Sequence, residues 1–145
     1  MKKFVSFALA LMMLAMTAFA FASCGAKETN YAANNTEFYI GASGPLTGGA
    51  GVYGQAVKNS AQMAVDEINA AGGLKFKFVM MDDVHDASNV ATNYTTMYEA
   101  GMQVSLGCVT TKPCLEFKTL SHEDNVFFMT PSATADAVVE YDNAY

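Results

Sequence analysis

The stretch Ile40–Ala56, "IGASGPLTGGAGVYGQA", connects an apolar, β-rich run to a helical pattern through a loop rich in glycine. Five glycines lie within residues 44–54, and Gly49–Gly54 spells GxGxxG, the spacing of a dinucleotide-binding loop. That fingerprint needs its first glycine directly after the strand. Here Gly49 follows several residues after the predicted strand end near Ser43, so the pattern favours a wide glycine turn over a pyrophosphate site.

Outward from this loop, strand and helix patterns alternate along the chain. Apolar residues recur at helical spacing after the loop, and shorter β-rich runs are closed by glycine or acidic residues. Strands are predicted at Glu37–Ser43, Lys75–Asp83, Val104–Cys108 and Val126–Thr130, and helices at Val52–Ala71, Ala87–Ala100 and Pro113–Glu123. This order predicts an α/β fold: a parallel sheet with helices on both faces and a ligand crevice at the carboxyl ends of the strands. Residues Ala135–Tyr141 could begin a further helix.

The N-terminus is typical of an export signal. Met1–Lys3 is basic, Phe4–Ala22 carries no charge, and small residues precede Cys24. The apolar run is also long enough for a membrane-spanning helix. That alternative lacks a stop-transfer pattern, because Lys27 is followed directly by Glu28.

The small residues that end at Cys24 resemble the lipobox of bacterial lipoproteins. The resemblance implies that residues 1–23 are a lipoprotein signal peptide and that Cys24 carries a diacylglycerol anchor. Phe21 departs from the leucine that is usual there, and ordinary secretion with a free Cys24 is the alternative. Residues 24–36 are small and polar without periodicity, which predicts a flexible tether.

The charge of the exported part limits its partners. Residues 24–145 keep six of the eight lysines and all fourteen acidic residues, for a net charge of −8. Without a basic patch, this acidic region is not expected to bind nucleic acid or to dock electrostatically on an anionic membrane. Residues 37–145 are enough for one domain with a modest core.

Several motifs in order resemble the leucine/isoleucine/valine-binding protein family, the type I solute-binding proteins of ABC importers. The family opens with a strand, Gly-Pro-Leu-Thr-Gly, Tyr-Gly, a helix and Ile-Asn-Ala-Ala-Gly-Gly, as this sequence does through Gly73. The similarity continues through "MMDDVHDA", "LGCVTTKPC" and "FMTPSATA" and covers Phe38 to about Asp136.

The resemblance implies a Rossmann-like lobe of a type I periplasmic binding protein, with residues 37–145 as a truncated N-terminal lobe. Family members have two lobes that close on the ligand. The implied function is capture of an amino acid or similar small polar solute by a lipid-anchored protein outside the cytoplasm, for delivery to an ABC permease. The alternatives are a ligand-sensing extracellular domain of a receptor or regulator, and a nucleotide-binding enzyme.

Two polar stretches fit a carboxylate site. "TTKP" at residues 110–113 lies between the third strand and its helix, and Ser132 to Thr134 follow the fourth strand. Hydroxyls and the N–H groups of a helix N-terminus favour an anion without needing arginine. By resemblance, Thr111 and Thr134 bind the ligand carboxylate, Ser132 binds through its backbone, and Tyr53 packs beside the ligand. Taken alone, these are also ordinary helix-cap, turn and packing residues.

The cysteines and histidines predict neither a disulfide framework nor a zinc site. Some amino-acid binders of the family have a disulfide where this chain has His85 and Thr110, so that bridge is absent. Cys108 and Cys114 could pair, but two cysteines are not a disulfide framework. The spacing of these cysteines with His85 and His122 fits no zinc pattern. No cofactor and no catalytic set are predicted.

Overall fold

The computed structural model describes residues 37–145. The predicted signal peptide (residues 1–23), the tether (residues 24–36) and the lipidation site Cys24 lie outside the described residues. Within residues 37–145, no helix combines the length and apolar character that crossing a membrane requires.

Strands and helices alternate as the sequence predicts. The strands are β1 (Glu37–Gly44), β2 (Lys75–Asp82), β3 (Val104–Cys108) and β4 (Phe127–Phe128), and the helices are α1 (Gly51–Ala71), α2 (Val90–Glu99) and α3 (Thr111–Glu123). A 3₁₀ turn, Ala87–Asn89, precedes α2, and a second one, Asp136–Val139, follows β4. The possible helix over Ala135–Tyr141 is therefore only this short turn.

The four strands form one parallel sheet in the order β2-β1-β3-β4, which confirms the predicted α/β class. The strand order reverses direction between β1 and β3, so their carboxyl ends border a natural crevice. The predicted fourth strand, Val126–Thr130, is shortened to two residues at the sheet edge. There Phe128 forms an isolated bridge with Ala144.

Helices cover both faces of the sheet. On one face, α2 and α3 bury Tyr94 and Phe117 in a cluster with Phe128. The ring of Phe117 packs edge-to-face with Tyr94, at 5.1 Å between centroids, and with Phe128, at 5.5 Å. On the other face α1 packs Val65 against Phe78 of β2. Each fully buried aromatic or aliphatic side chain contributes about 1.5–3 kcal/mol to stability. These two cores hold the strand ends, and the loops on them, in fixed positions.

Candidate functional site

A cleft of about 570 Å³ lies at the carboxyl end of β3. Its lining combines apolar, hydroxyl and basic side chains: Tyr53, His85, Val109, Thr110, Thr111, Lys112, Leu115 and Ser132. Three of the four residues predicted from the family resemblance, Tyr53, Thr111 and Ser132, thus lie around one cavity. Its position matches the crevice expected at the carboxyl ends of parallel strands.

The N-terminus of α3 forms one wall of this cleft. Thr111 is the first helical residue, and Thr110 before it makes no side-chain cap hydrogen bond. Pro113 has no N–H, and Cys114 N–H donates to Thr110 O at 3.1 Å. The N–H groups of Thr111 and Lys112 therefore have no acceptor within the helix, and they stand at the positive end of its dipole.

The turn after β4 is attached to the loop before α3. Ser132 Oγ donates to Val109 O at 2.5 Å, and Thr130 Oγ1 donates to Cys108 O at 2.9 Å. The N–H of Thr134 donates to Thr111 Oγ1 at 3.3 Å. Thr134 is thus adjacent to Thr111, but it is not among the residues that line the cleft. Because Thr111 Oγ1 accepts this bond, its hydroxyl hydrogen is free to point elsewhere.

Tyr53 reaches the cleft from the first turn of α1, with 65% of its surface exposed. The glycines beside it let α1 lie close to the loop after β1. A Cβ on Gly54 would lie 1.9 Å from Pro45 O, whereas one on Gly49 would meet nothing within 4 Å. The last glycine of the GxGxxG pattern therefore serves close packing of the helix against the loop.

The loop after β2 brings a histidine to the cleft in an uncommon conformation. Val84 and His85 have φ values of 54° and 63°, in the left-handed region, which costs about 1–3 kcal/mol for each such residue. Two carboxylates hold this turn, because Asp82 accepts from Val84 N–H and Asp83 from His85 N–H, each at 2.9 Å. His85 Nδ1 then shares a hydrogen bond of 3.0 Å with Thr110 Oγ1.

Asp83 connects this loop to the core of the sheet. Its side chain is fully buried and accepts a hydrogen bond from Ser43 Oγ at 3.1 Å. Asn93 Nδ2 donates to the same Ser43 Oγ at 3.2 Å. Burial raises the pKa of Asp83, and the hydrogen bonds from His85 N–H and Ser43 offset only part of that effect. The buried network thus fixes the position of His85 relative to β1 and α2.

The sequence analysis did not place His85 at the site, and within residues 110–113 it gave a role only to Thr111, not to Thr110 or Lys112. His85 and Thr110 occupy the places where some family members have a disulfide, and here a hydrogen bond joins them instead. Lys112 stands inside the quoted stretch "TTKP", next to the assigned Thr111. Cys108 and Cys114, whose pairing the sequence left open, are buried free thiols.

Comparison with known proteins agrees with this architecture. Residues 37–145 match the periplasmic binding protein family. The chain belongs to this family. It is 34% identical over 104 residues to the Leu/Ile/Val-binding protein BraC3 of Rhizobium johnstonii, covering 70% of this chain and 28% of that protein. It is 32% identical over 127 residues to the Leu/Ile/Val-binding protein homolog 3 of Brucella melitensis, covering 86% and 33%.

A solved structure shares the fold. The substrate-binding protein LivJ of a branched-chain amino acid transporter from Streptococcus pneumoniae, in complex with isoleucine, superposes with a TM-score of 0.71 and 27% identity. It covers 75% of this chain, and this chain covers 33% of LivJ. This chain therefore spans about a third of the length of these relatives. The family resemblance read from the sequence is confirmed, and the family implies a location outside the cytoplasm.

Proposed function

We propose that the full-length protein is a solute-binding protein that captures an amino acid or a similar small polar solute for an ABC permease. The observation that carries this proposal is the cleft in which Tyr53, Thr111 and Ser132 come together at the free N-terminus of α3. The relatives are named as Leu/Ile/Val-binding proteins, which supports the same class of ligand. The protein acts by binding and release, without a chemical step.

The proposed roles follow from donor chemistry. A carboxylate has two oxygens with about four acceptor sites, which need donors when water is excluded. We assign four donors of cleft-lining residues to this carboxylate: the Thr111 hydroxyl and the N–H groups of Thr111, Lys112 and Ser132. Thr134, whose N–H donates to Thr111 Oγ1, is the further residue that we assign to the same carboxylate. Val109, Leu115 and the ring of Tyr53 offer apolar contact for the rest of the ligand.

Tyr53 lines the cleft and yet has 65% of its surface exposed, which suits closure by a second lobe. Closing two lobes on a ligand expels water and strengthens every polar contact inside. In this proposal the exposed Tyr53 contacts both the ligand and that lobe. In the same proposal, the second lobe holds the ligand's ammonium group.

Calorimetric titration of the full-length protein with the twenty amino acids tests the proposed function. At least one is expected to bind with a Kd in the micromolar range or below, equivalent to about −8 kcal/mol or better. If no amino acid binds more tightly than about 1 mM, or roughly −4 kcal/mol, the assignment of an amino acid as the ligand is wrong.

We expect Cys24 to be lipidated, because the uncharged run Phe4–Ala22 leads to small residues directly before it. Expressed in a bacterium that processes lipoproteins, the membrane fraction should contain a chain that begins at Cys24 and carries the added mass of a diacylglycerol. Two or more acyl chains anchor a protein stably, whereas one does not. The matched variant Cys24→Ser should lack the lipid mass. A mature parent chain that begins elsewhere, or that has no lipid mass, would refute lipidation.

A further inference from the structure

The side chains that line the cleft include two basic ones and no acidic one. Residues 24–145 carry a net charge of −8, yet Lys112 and His85 line the cleft, with the carboxylate of Asp86 beside them. No carboxylate side chain is among the lining residues. A cleft with basic walls in an acidic protein favours ligands more negative than a neutral zwitterion.

Lys112 lies at the end of its helix where the dipole disfavours a positive charge. It is the second residue of α3, where the helix dipole disfavours a cation by about 0.3–1 kcal/mol. Among residues 37–145, the one ion pair within 4.0 Å joins Lys118 to Glu140, so Lys112 has no such partner. The pKa of nearby Asp86 is lowered chiefly by hydrogen bonding to Ser88 and only secondarily by the Lys112 charge. Asp86 Oδ1 accepts the Ser88 N–H at 3.0 Å.

His85 is held at the cleft at a cost in backbone strain. Its Nδ1 is engaged with Thr110 Oγ1, which leaves Nε2 as the ring atom without a hydrogen-bond partner among the described residues. The left-handed turn at Val84 and His85 persists because the half-buried Asp82 and the buried Asp83 accept hydrogen bonds from its N–H groups. Strained residues held in this way cluster at ligand sites.

These groups exceed what one carboxylate needs. The hydroxyl of Thr111 and three backbone N–H groups already match its four acceptor sites. The ammonium of Lys112 and the Nε2 of His85 remain for a second acceptor group. Resting on the proposed function, we propose that the ligand carries two anionic groups, as an acidic amino acid or a related dicarboxylate does. One group binds at Thr111, and the other binds Lys112 and His85.

The test compares ligands of equal shape and different charge on the full-length protein. Calorimetry is run with L-glutamate against L-glutamine, L-aspartate against L-asparagine, and succinate and L-leucine as further probes. The acids are expected to bind at least about tenfold more tightly than their amides, since hydrogen bonds to charged groups are the stronger ones. Lys112→Gln should remove most of that preference, because it should weaken binding of the acids more than binding of the amides.

Lys58→Gln is the matched control, because it makes the same change in net charge at a residue of α1 outside the cleft lining. It should leave the preference for acids intact. If leucine or the amides bind as tightly as the acids or more tightly, the inference is wrong while the proposed function stands. If only succinate binds, the two-anion ligand is supported and the amino-acid function is not. If none of the probes binds, and no other amino acid does, both are wrong.

Discussion

Replacing Thr111 by valine in the full-length protein is expected to weaken ligand binding roughly ten- to a hundredfold. The substitution keeps the shape of the side chain and removes the hydroxyl that we assign to the ligand carboxylate. Losing one hydrogen bond to a charged acceptor costs about 1.5–3 kcal/mol. Because Thr111 Oγ1 also accepts the Thr134 N–H at 3.3 Å, part of the loss will come from a looser turn. Calorimetry with the tightest-binding amino acid measures the change.

Thr119→Val is the matched control for this substitution. Thr119 lies in the same helix, is exposed, and donates only to Leu115 O, at 3.3 Å. Its replacement should leave the affinity unchanged within about twofold, since exposed substitutions away from a site change free energies by less than about 0.5 kcal/mol. Equal affinities for Thr111→Val and the parent would remove Thr111 from the site.

Thr110→Val is less suited as a control, although the two threonines are neighbours in sequence. Thr110 lines the cleft and shares its hydroxyl with His85 Nδ1. Its replacement should release His85 and alter binding indirectly, by less than the loss at Thr111. A large loss at Thr110 with none at Thr111 would mean that the roles of the two residues are exchanged.

Gly54→Ala is expected to be the most damaging single change in the glycine-rich loop. Its Cβ would meet the backbone oxygen of Pro45 at 1.9 Å, so the loop or the helix must move. Overpacking of this kind costs about 1–3 kcal/mol, and sometimes more. The cost should appear as a lower denaturant midpoint, and the affinity should fall as well, because Tyr53 is the adjacent residue.

Gly49→Ala provides the comparison within the same GxGxxG pattern. A Cβ on Gly49 meets nothing within 4 Å, and its φ does not require glycine. Alanine there should be neutral, or stabilising by about 0.4–1 kcal/mol through a more restricted unfolded chain. Equal denaturant midpoints for the two variants would contradict the packing role of Gly54.

The sequence predicted the sheet well where local pattern and burial agree. Val104–Cys108 was placed without error, because glycine and a run of apolar residues delimit it. The first two residues of α3 were missed, because Pro113 suggested a later helix start. The fourth strand was overestimated, since the length of an edge strand depends on partners that pattern alone does not reveal. Here only Phe127 and Phe128 pair with β3.

The candidate site was predictable in part for a similar reason. Thr111 and Ser132 follow strand ends, and the fold brings such positions together at one edge of a parallel sheet. His85 could not be assigned in this way, because its left-handed backbone depends on the carboxylates of Asp82 and Asp83. Those carboxylates are in turn held by distant residues, among them Ser43, 40 positions away in the chain.

The most direct test of the account is a crystal structure of the full-length protein with its tightest-binding amino acid. The account predicts a ligand carboxylate oxygen at about 2.5–3.0 Å from Thr111 Oγ1, the range of a hydroxyl hydrogen bond. The same carboxylate should face the N–H groups that begin α3, with the ring of Tyr53 against the ligand. A ligand bound elsewhere, with no atom in contact with Thr111 or Ser132, would contradict the central claim.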